Sequence, residues 1–238
     1  MNLKIRGIRI NWSRIEKDSY LRDIPAIASI DQLEFRRPIT FFVGENGSGK
    51  STLLEAIAIQ YGFNPEGGTK NYSFSTFDSH SELYNALTLV KGANKAQWGY
   101  FLRAESFYNV ATAEEEYSKI GGTPLNLHNQ SHGESFLAVA KEHFRSGGIY
   151  LLDEPEAALS PQRQMAMMVR IAECARQGSQ FIIVTHSPVL LAMPDSEILS
   201  FDGEKIRPIE YEETESYKVT EMFINSREHI LNLLLEGE

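Results

Sequence analysis

The spacing of hydrophobic and polar positions changes several times along the chain, and each change predicts an element. Residues 3–11, LKIRGIRIN, alternate with the period of two of a half-buried strand, and IASIDQLEF at 27–35 reads as another. At 39–44, ITFFVG abandons the alternation for an apolar run, the pattern of a strand covered on both faces. KSTLLEAIAIQ at 50–60 takes up helical spacing. Residues 62–98 are rich in Gly, Asn and Ser, and the weak periodicity of SELYNALTLV predicts a loop-rich insertion holding a short helix. WGYFLRAESF reads as a strand and turn. The polar NVATAEEEYSKIGGTPLN, with its Gly-Gly pair and Pro, reads as an exposed connection.

From Gly133 the rhythm becomes regular: a helix, the strand GIYLLD, a helix over 160–177, the strand QFIIVT, a short helix and the strand EILSFD. Alternating helices and apolar strands predict an α/β fold, a mostly parallel sheet flanked by helices, to which the N-terminal strands add an antiparallel part. The expected organisation is one domain over 1–238, with the insertion and helical subdomain at about 62–145 and a C-terminal helical appendage at about 212–238. In that appendage HILNLLLEGE is amphipathic, packed on the domain or offered to a partner. EEYSKI and EYEETESYK read as charged surface. No internal repeat, low-complexity tract or long heptad run interrupts the pattern.

Ser131 and Glu134 have the spacing of a capping box at the start of the helix that runs into Phe136, Leu137, Ala140 and Phe144. Gly133 lies in its first turn, where glycine costs about 1 kcal/mol relative to alanine. A cap alone leaves that residue unexplained.

Composition narrows the classes. With 238 residues, 42% of them hydrophobic, the chain can bury a substantial core and reads as soluble and globular. A formal charge of −9 disfavours broad nucleic-acid binding, which needs cationic surface. Cys174 is the single cysteine, so an internal disulfide is excluded and a reducing, cytoplasmic location is expected. The N-terminal MNLKIRGIRI lacks the apolar region of a signal peptide. QFIIVTHSPVLLAMP is broken well short of the roughly 20 residues of a membrane helix.

Three segments carry chemistry. GENGSGKST, from Gly44 to Thr52, follows the buried strand, opens a helix and meets G-x-x-x-x-G-K-[ST] at Gly44, Gly49, Lys50 and Ser51. Such a loop, here including Glu45, Asn46, Gly47 and Ser48, turns backbone amides around phosphate at the positive end of a helix. Lys50 then reaches the β- and γ-phosphates, and Ser51 can ligate Mg²⁺. A plain strand-to-helix turn is the alternative. GIYLLDEPE ends a strand in two carboxylates, and strand carboxyl ends face the ligand crevice of an open parallel sheet. Asp153 is placed to hold Mg²⁺, and Glu154 to orient or deprotonate the attacking water; a solvated acidic turn is the alternative. QFIIVTHSP ends in Thr185, His186 and Ser187. There His186 either senses the γ-phosphate and the attacking water or is structural.

In this order, GENGSGKST, SHGES, YLLDEPEAALSP and IIVTHSP resemble the Walker A, signature, Walker B with D-loop, and switch-histidine motifs of the ATP-binding-cassette (ABC) ATPases. The likeness runs from the first strand to residue 209 and looks closest to small stand-alone members made of little more than the nucleotide-binding domain. It implies a P-loop NTPase fold with an ABC-type core, and ATP held between two copies of the chain. By position it implies that Gly44 to Thr52 bind phosphates, that Ser51 and Asp153 serve Mg²⁺, and that Glu154 is the catalytic carboxylate acting with Lys50 and His186. Ser131 and Gly133 then touch the γ-phosphate bound to the neighbouring subunit.

The chain departs from the family pattern in three places. His132 stands where the signature has its first glycine and Gln130 precedes Ser131, the D-loop ends in Ser160 instead of Asp, and no Gln occupies the Q-loop position, where Glu105 is the nearest substitute. His128 and His132, four apart, have a metal-compatible spacing and His143 follows, without matching cysteines or carboxylates. Arg36 and Arg37 read as solvated, and Tyr20 either stacks on adenine or packs in the core or on the surface. The leading functional expectation is Mg²⁺-dependent ATP hydrolysis by a nucleotide-sandwich homodimer, a cytosolic switch acting on an unidentified protein partner. The alternatives are the motor subunit of a membrane transporter, a DNA-repair or chromosome-maintenance ATPase, and a non-hydrolysing ATP-gated module.

Overall fold

A computed structural model describes residues 3–69, 81–104 and 132–236. The chain opens with β1 (Ile5–Ile10), passes through 3-10 turns at Trp12–Arg14 and Tyr20–Arg22 and the single-turn α1 (Pro25–Ala28), and returns as β2 (Gln32–Glu34). β3 (Ile39–Val43) leads into α2 (Lys50–Tyr61). Next come α3 (Leu83–Ala86), β4 (Leu87–Lys91), β5 (Gly99–Arg103) and α4 (His132–His143). After β6 (Ile149–Asp153) a 3-10 turn at Pro155–Ala158 precedes α5 (Pro161–Arg176), β7 (Gln180–Val184), α6 (Pro188–Leu191), β8 (Ser196–Ser200) and β9 (Arg207–Ile209). The chain closes, after a turn at Tyr211–Glu213, with α7 (Glu215–Asn225) and α8 (Arg227–Glu236).

Among the described residues the strands form a three-stranded antiparallel sheet, β2-β1-β4, and a six-stranded sheet, β5-β6-β7-β3-β8-β9. The first five strands of the larger sheet are parallel, and β9 closes its edge antiparallel. Because side chains alternate across a strand, the apolar runs split between two cores. Phe42, Phe101, Leu151, Ile182 and Val184 face Leu53, Leu54 and Ile57 of α2 and, beyond them, Ile5 and Ile8 of the small sheet. Phe41, Tyr100, Tyr150, Leu152, Phe181 and Ile183 face Phe136, Val139 and Phe144 of α4 and Met167, Ile171 and Cys174 of α5. Each such buried side chain contributes about 1.5–3 kcal/mol, so strands covered on both faces dominate stability.

The small sheet is fastened to the large one by Gln180. Its Oε1 accepts from the backbone N–H of Lys4 and Ile5, both at 2.8 Å, and its Nε2 donates to the Ile5 carbonyl at 2.9 Å.

The structure departs from the periodicity in two places. The helix expected around SELYNALTLV lasts a single turn, and Leu87–Lys91 is a strand that pairs with β1 in the register Ile8↔Leu89. Thr88 and Val90 are β-branched and the edge of β1 offers backbone partners, so pairing outweighs weak helical spacing. The second expected strand shrinks to Gln32–Glu34, since Pro25 at a helix N-terminus favours the turn Pro25–Ala28. The acidic EYEETESYK is largely exposed and leads into α7, whose N-cap Thr214 accepts from Tyr217 N–H at 3.4 Å. Among the described residues no helix is long and apolar enough to cross a membrane.

Candidate functional site

The carboxyl ends of β3, β6 and β7, neighbours in the large sheet, converge on the loop between β3 and α2. That loop turns because its glycines adopt left-handed backbone: Gly44, Gly47 and Gly49 have φ of 140°, 82° and 91°. Gly49 is doubly constrained, since a Cβ there would meet Ile27 Cγ1 at 2.4 Å. The loop closes on Lys50, whose Nζ donates to the carbonyls of Gly44 at 2.6 Å and Glu45 at 2.7 Å. Burial lowers the Lys50 pKa, against the opposing pull of the carboxylates of Asp202, Glu154 and Asp153. An ammonium resting on two carbonyls is a group that an arriving phosphate can draw away.

One residue on, Ser51 Oγ donates to Asp153 Oδ1 at 2.8 Å, across 102 positions of sequence. Asp153 is buried at the end of β6. Glu154 follows in left-handed backbone, φ 50° and ψ 52°, with its N–H donating to the Val184 carbonyl at 3.0 Å. At the end of β7, Thr185 is buried and the His186 side chain is exposed. Ser187 caps α6 by accepting from Val189 and Leu190 N–H at 3.2 Å, and its hydroxyl donates to Gln164 Oε1 at 2.5 Å.

The structure therefore brings together Gly44 to Thr52, Asp153, Glu154 and His186. A hydroxyl and a carboxylate in contact suit Mg²⁺, which takes hard oxygen ligands, keeps several waters and shares its shell with nucleotide phosphates. Ser131 and Glu105 lie outside the described residues, as does His128. Gly133 is buried, and a Cβ there would meet Ala158 O at 2.7 Å and Arg163 Nη1 at 2.6 Å. This glycine is explained by close packing of α4 on the turn before α5, which is also pinned by the Arg163–Glu134 ion pair at 3.1 Å. Ser160, where the family has Asp, is the N-cap of α5 and accepts from Arg163 N–H at 3.4 Å. Tyr20 is exposed, as are Arg36 and Arg37.

Two contacts had no signal in the sequence. Asp202 Oδ1 accepts from Glu45 N–H at 2.8 Å and so holds the start of the loop. Its Asp-Gly pair marks a turn but says nothing of a partner 157 positions away. Arg103, at the end of β5, pairs with Glu55 of α2 at 2.7 Å and lies 3.8 Å from Asp153 Oδ2, tying the loop's helix to the sheet edge beside the carboxylates. A groove beside the loop is lined by Ile24, Pro25, Asn46, Ser48 and Asp202; Tyr20 is not part of its wall.

A parallel sheet with a glycine loop, a lysine and a Ser–Asp pair at its strand ends defines a phosphate-loop nucleotide-binding protein. Comparisons with known proteins agree. Residues 24–134 match the "AAA domain" family model, and residues 118–192 match a second AAA-domain model whose description extends to the AbiEii toxin and "Type IV TA system". The xylose import ATP-binding protein XylG of Moorella thermoacetica is 24% identical over 88% of this chain and 47% of its own length. The ribose import ATP-binding protein RbsA of Roseobacter denitrificans is 21% identical over 72% of this chain and 38% of its own. The chain thus spans half or less of the length of these curated relatives. The SMC head domain from Thermotoga maritima superposes with a TM-score of 0.49 at 16% identity, over 87% of this chain and all of that one. Motif order and these ATP-binding relatives support an ABC-type ATPase, to which the chain is similar.

Proposed function

We propose that the chain binds ATP with Mg²⁺ between two copies of itself, hydrolyses it, and uses the opening and closing of that homodimer to act on a protein partner in the cytoplasm. The observation that carries this reading is the Ser51–Asp153 contact with Glu154 next in sequence, which gives a cation position and a carboxylate beside it.

In this reading the amides of Gly44 to Thr52 receive the phosphates, and Lys50 leaves the Gly44 and Glu45 carbonyls for the β- and γ-phosphate oxygens. Ser51 and Asp153 would hold Mg²⁺, which when bound supplies neutralisation of phosphate charge. The Glu154 carboxylate accepts the proton of the water that attacks the γ-phosphorus, and the exposed His186 imidazole donates to a γ-phosphate oxygen. Ser131 and Gly133 of the second copy complete the enclosure, Gly133 through its backbone. Closure excludes water and assembles the two half-sites, which is how a switch of this type converts binding into motion.

Glu154→Gln tests the reading. Phosphate release is expected to fall by at least about 100-fold, while Mg-ATP doubles the mass seen by light scattering because the closed dimer no longer resolves. Equal turnover by wild type and variant removes Glu154 from the mechanism. The import ATP-binding proteins among the relatives favour a second reading, the motor subunit of a membrane transporter. Co-purification with an integral membrane protein would put that reading first.

A further inference from the structure

The turns that follow β6 and β7 are joined twice. Glu154 N–H donates to the Val184 carbonyl, and the Glu156 carboxylate reaches across so that its Oε1 accepts from His186 N–H at 2.6 Å. Glu156 sits in the turn Pro155–Ala158, directly after a residue held in left-handed backbone and followed by proline. A non-glycine residue there is strained and persists only when its surroundings impose it. Proline further biases the residue before it toward extended backbone. The conformation of Glu154 is therefore set by what grips the segment on either side of it.

Glu156 is itself placed at a cost. Its second oxygen, Oε2, is buried without a hydrogen-bond partner among the described residues. A carboxylate that exchanges its hydration for one backbone amide gains little net stability. The return lies in geometry. His186 lies between Thr185, which is buried, and Ser187, whose N–H donates to Thr185 Oγ1 and whose hydroxyl reaches Gln164, and the Glu156 bond fixes the peptide between them.

We propose that Glu156 is a positioning residue that locks the His186 turn against Glu154, so that the two groups keep one mutual geometry at the γ-phosphate. The proposal rests on the roles given above to Glu154 and His186. It predicts that an acceptor at Glu156 matters, whereas a merely structural brace would affect stability without splitting kcat from KM.

Glu156→Ala and Glu156→Gln are compared by exchange of the His186 amide in the nucleotide-free protein, followed by NMR, and by steady-state kinetics with Mg-ATP. A misplacement on the order of 1 Å costs on the order of 100-fold in rate, so Glu156→Ala is expected to lower kcat by about 10- to 100-fold with KM within about threefold. The His186 amide should exchange about tenfold faster in that variant. Glu156→Gln, which keeps an acceptor in place, should restore both. If Glu156→Ala fails to fold, Glu156→Asp, charged but one methylene shorter, takes its place. Unchanged His186 exchange, unchanged kcat, or an equal loss in Glu156→Gln would each overturn the proposal. Glu154→Gln and His186→Ala run alongside: if both turn over like wild type, the parent reading has failed, and the amide exchange alone then decides whether Glu156 holds the turn.

Discussion

Asp202 shows how much of the loop depends on one distant side chain. Its acceptance from Glu45 N–H is a charge-assisted bond, worth about 1.5–3 kcal/mol, and it restrains the loop before any phosphate arrives. Its charge also opposes an incoming anion, but the side chain is exposed and that repulsion is screened. The restraint is therefore the larger effect. Asp202→Ala is expected to weaken binding of a fluorescent ATP analogue by about tenfold, and Asp202→Asn, which keeps the acceptor, by no more than about threefold. Tighter binding by Asp202→Ala would show that repulsion dominates instead. Lys50 illustrates the same balance, since burial depresses its pKa while three carboxylates sustain its charge.

The departure of the D-loop from the family pattern acquires a local reason among the helices. Ser160 replaces the family's Asp and caps the sixteen-residue α5, with Pro161 at its first position. Ser160→Ala is expected to cost about 1 kcal/mol in urea unfolding, and Ser160→Asp to be nearly neutral, because both Ser and Asp cap well. Gly133 is a packing glycine, closed off by Ala158 and Arg163. The C-terminal helices differ from the rest: Ile224, Leu234 and Leu235 are 71%, 72% and 79% exposed, so their apolar stripe stabilises little in this chain. Ile224→Lys should accordingly shift the unfolding free energy by less than about 0.5 kcal/mol, and a larger loss would mean that the helix is packed in solution.

At the scale of the molecule, the two sheets act as one unit because Gln180 joins them. Replacing it with Leu leaves the N–H groups of Lys4 and Ile5 without their acceptor; a loss of about 2–4 kcal/mol, read from denaturant unfolding, is expected for the pair. A change below about 0.5 kcal/mol would show that the small sheet docks by apolar contact alone.

Much of this architecture was legible before any coordinates. The parallel strands declared themselves as apolar runs because both of their faces are covered, and GENGSGKST, DEPE and THSP stood out as candidates because each is a contiguous peptide with a recognisable spacing. A weakly periodic segment was the one misread: LTLVK became a strand only because β1 had an edge to pair with. The sequence alone determined the type of each strongly periodic element and picked out the candidate site residues, since both follow from local period and local spacing. The tertiary structure alone decided that Asp202 holds Glu45, that Arg103 stands beside Asp153, that Gln180 clasps Ile5 and that Glu156 grips His186. Those contacts join positions that share no local pattern, and only the order in which the strands lie side by side brings them within reach.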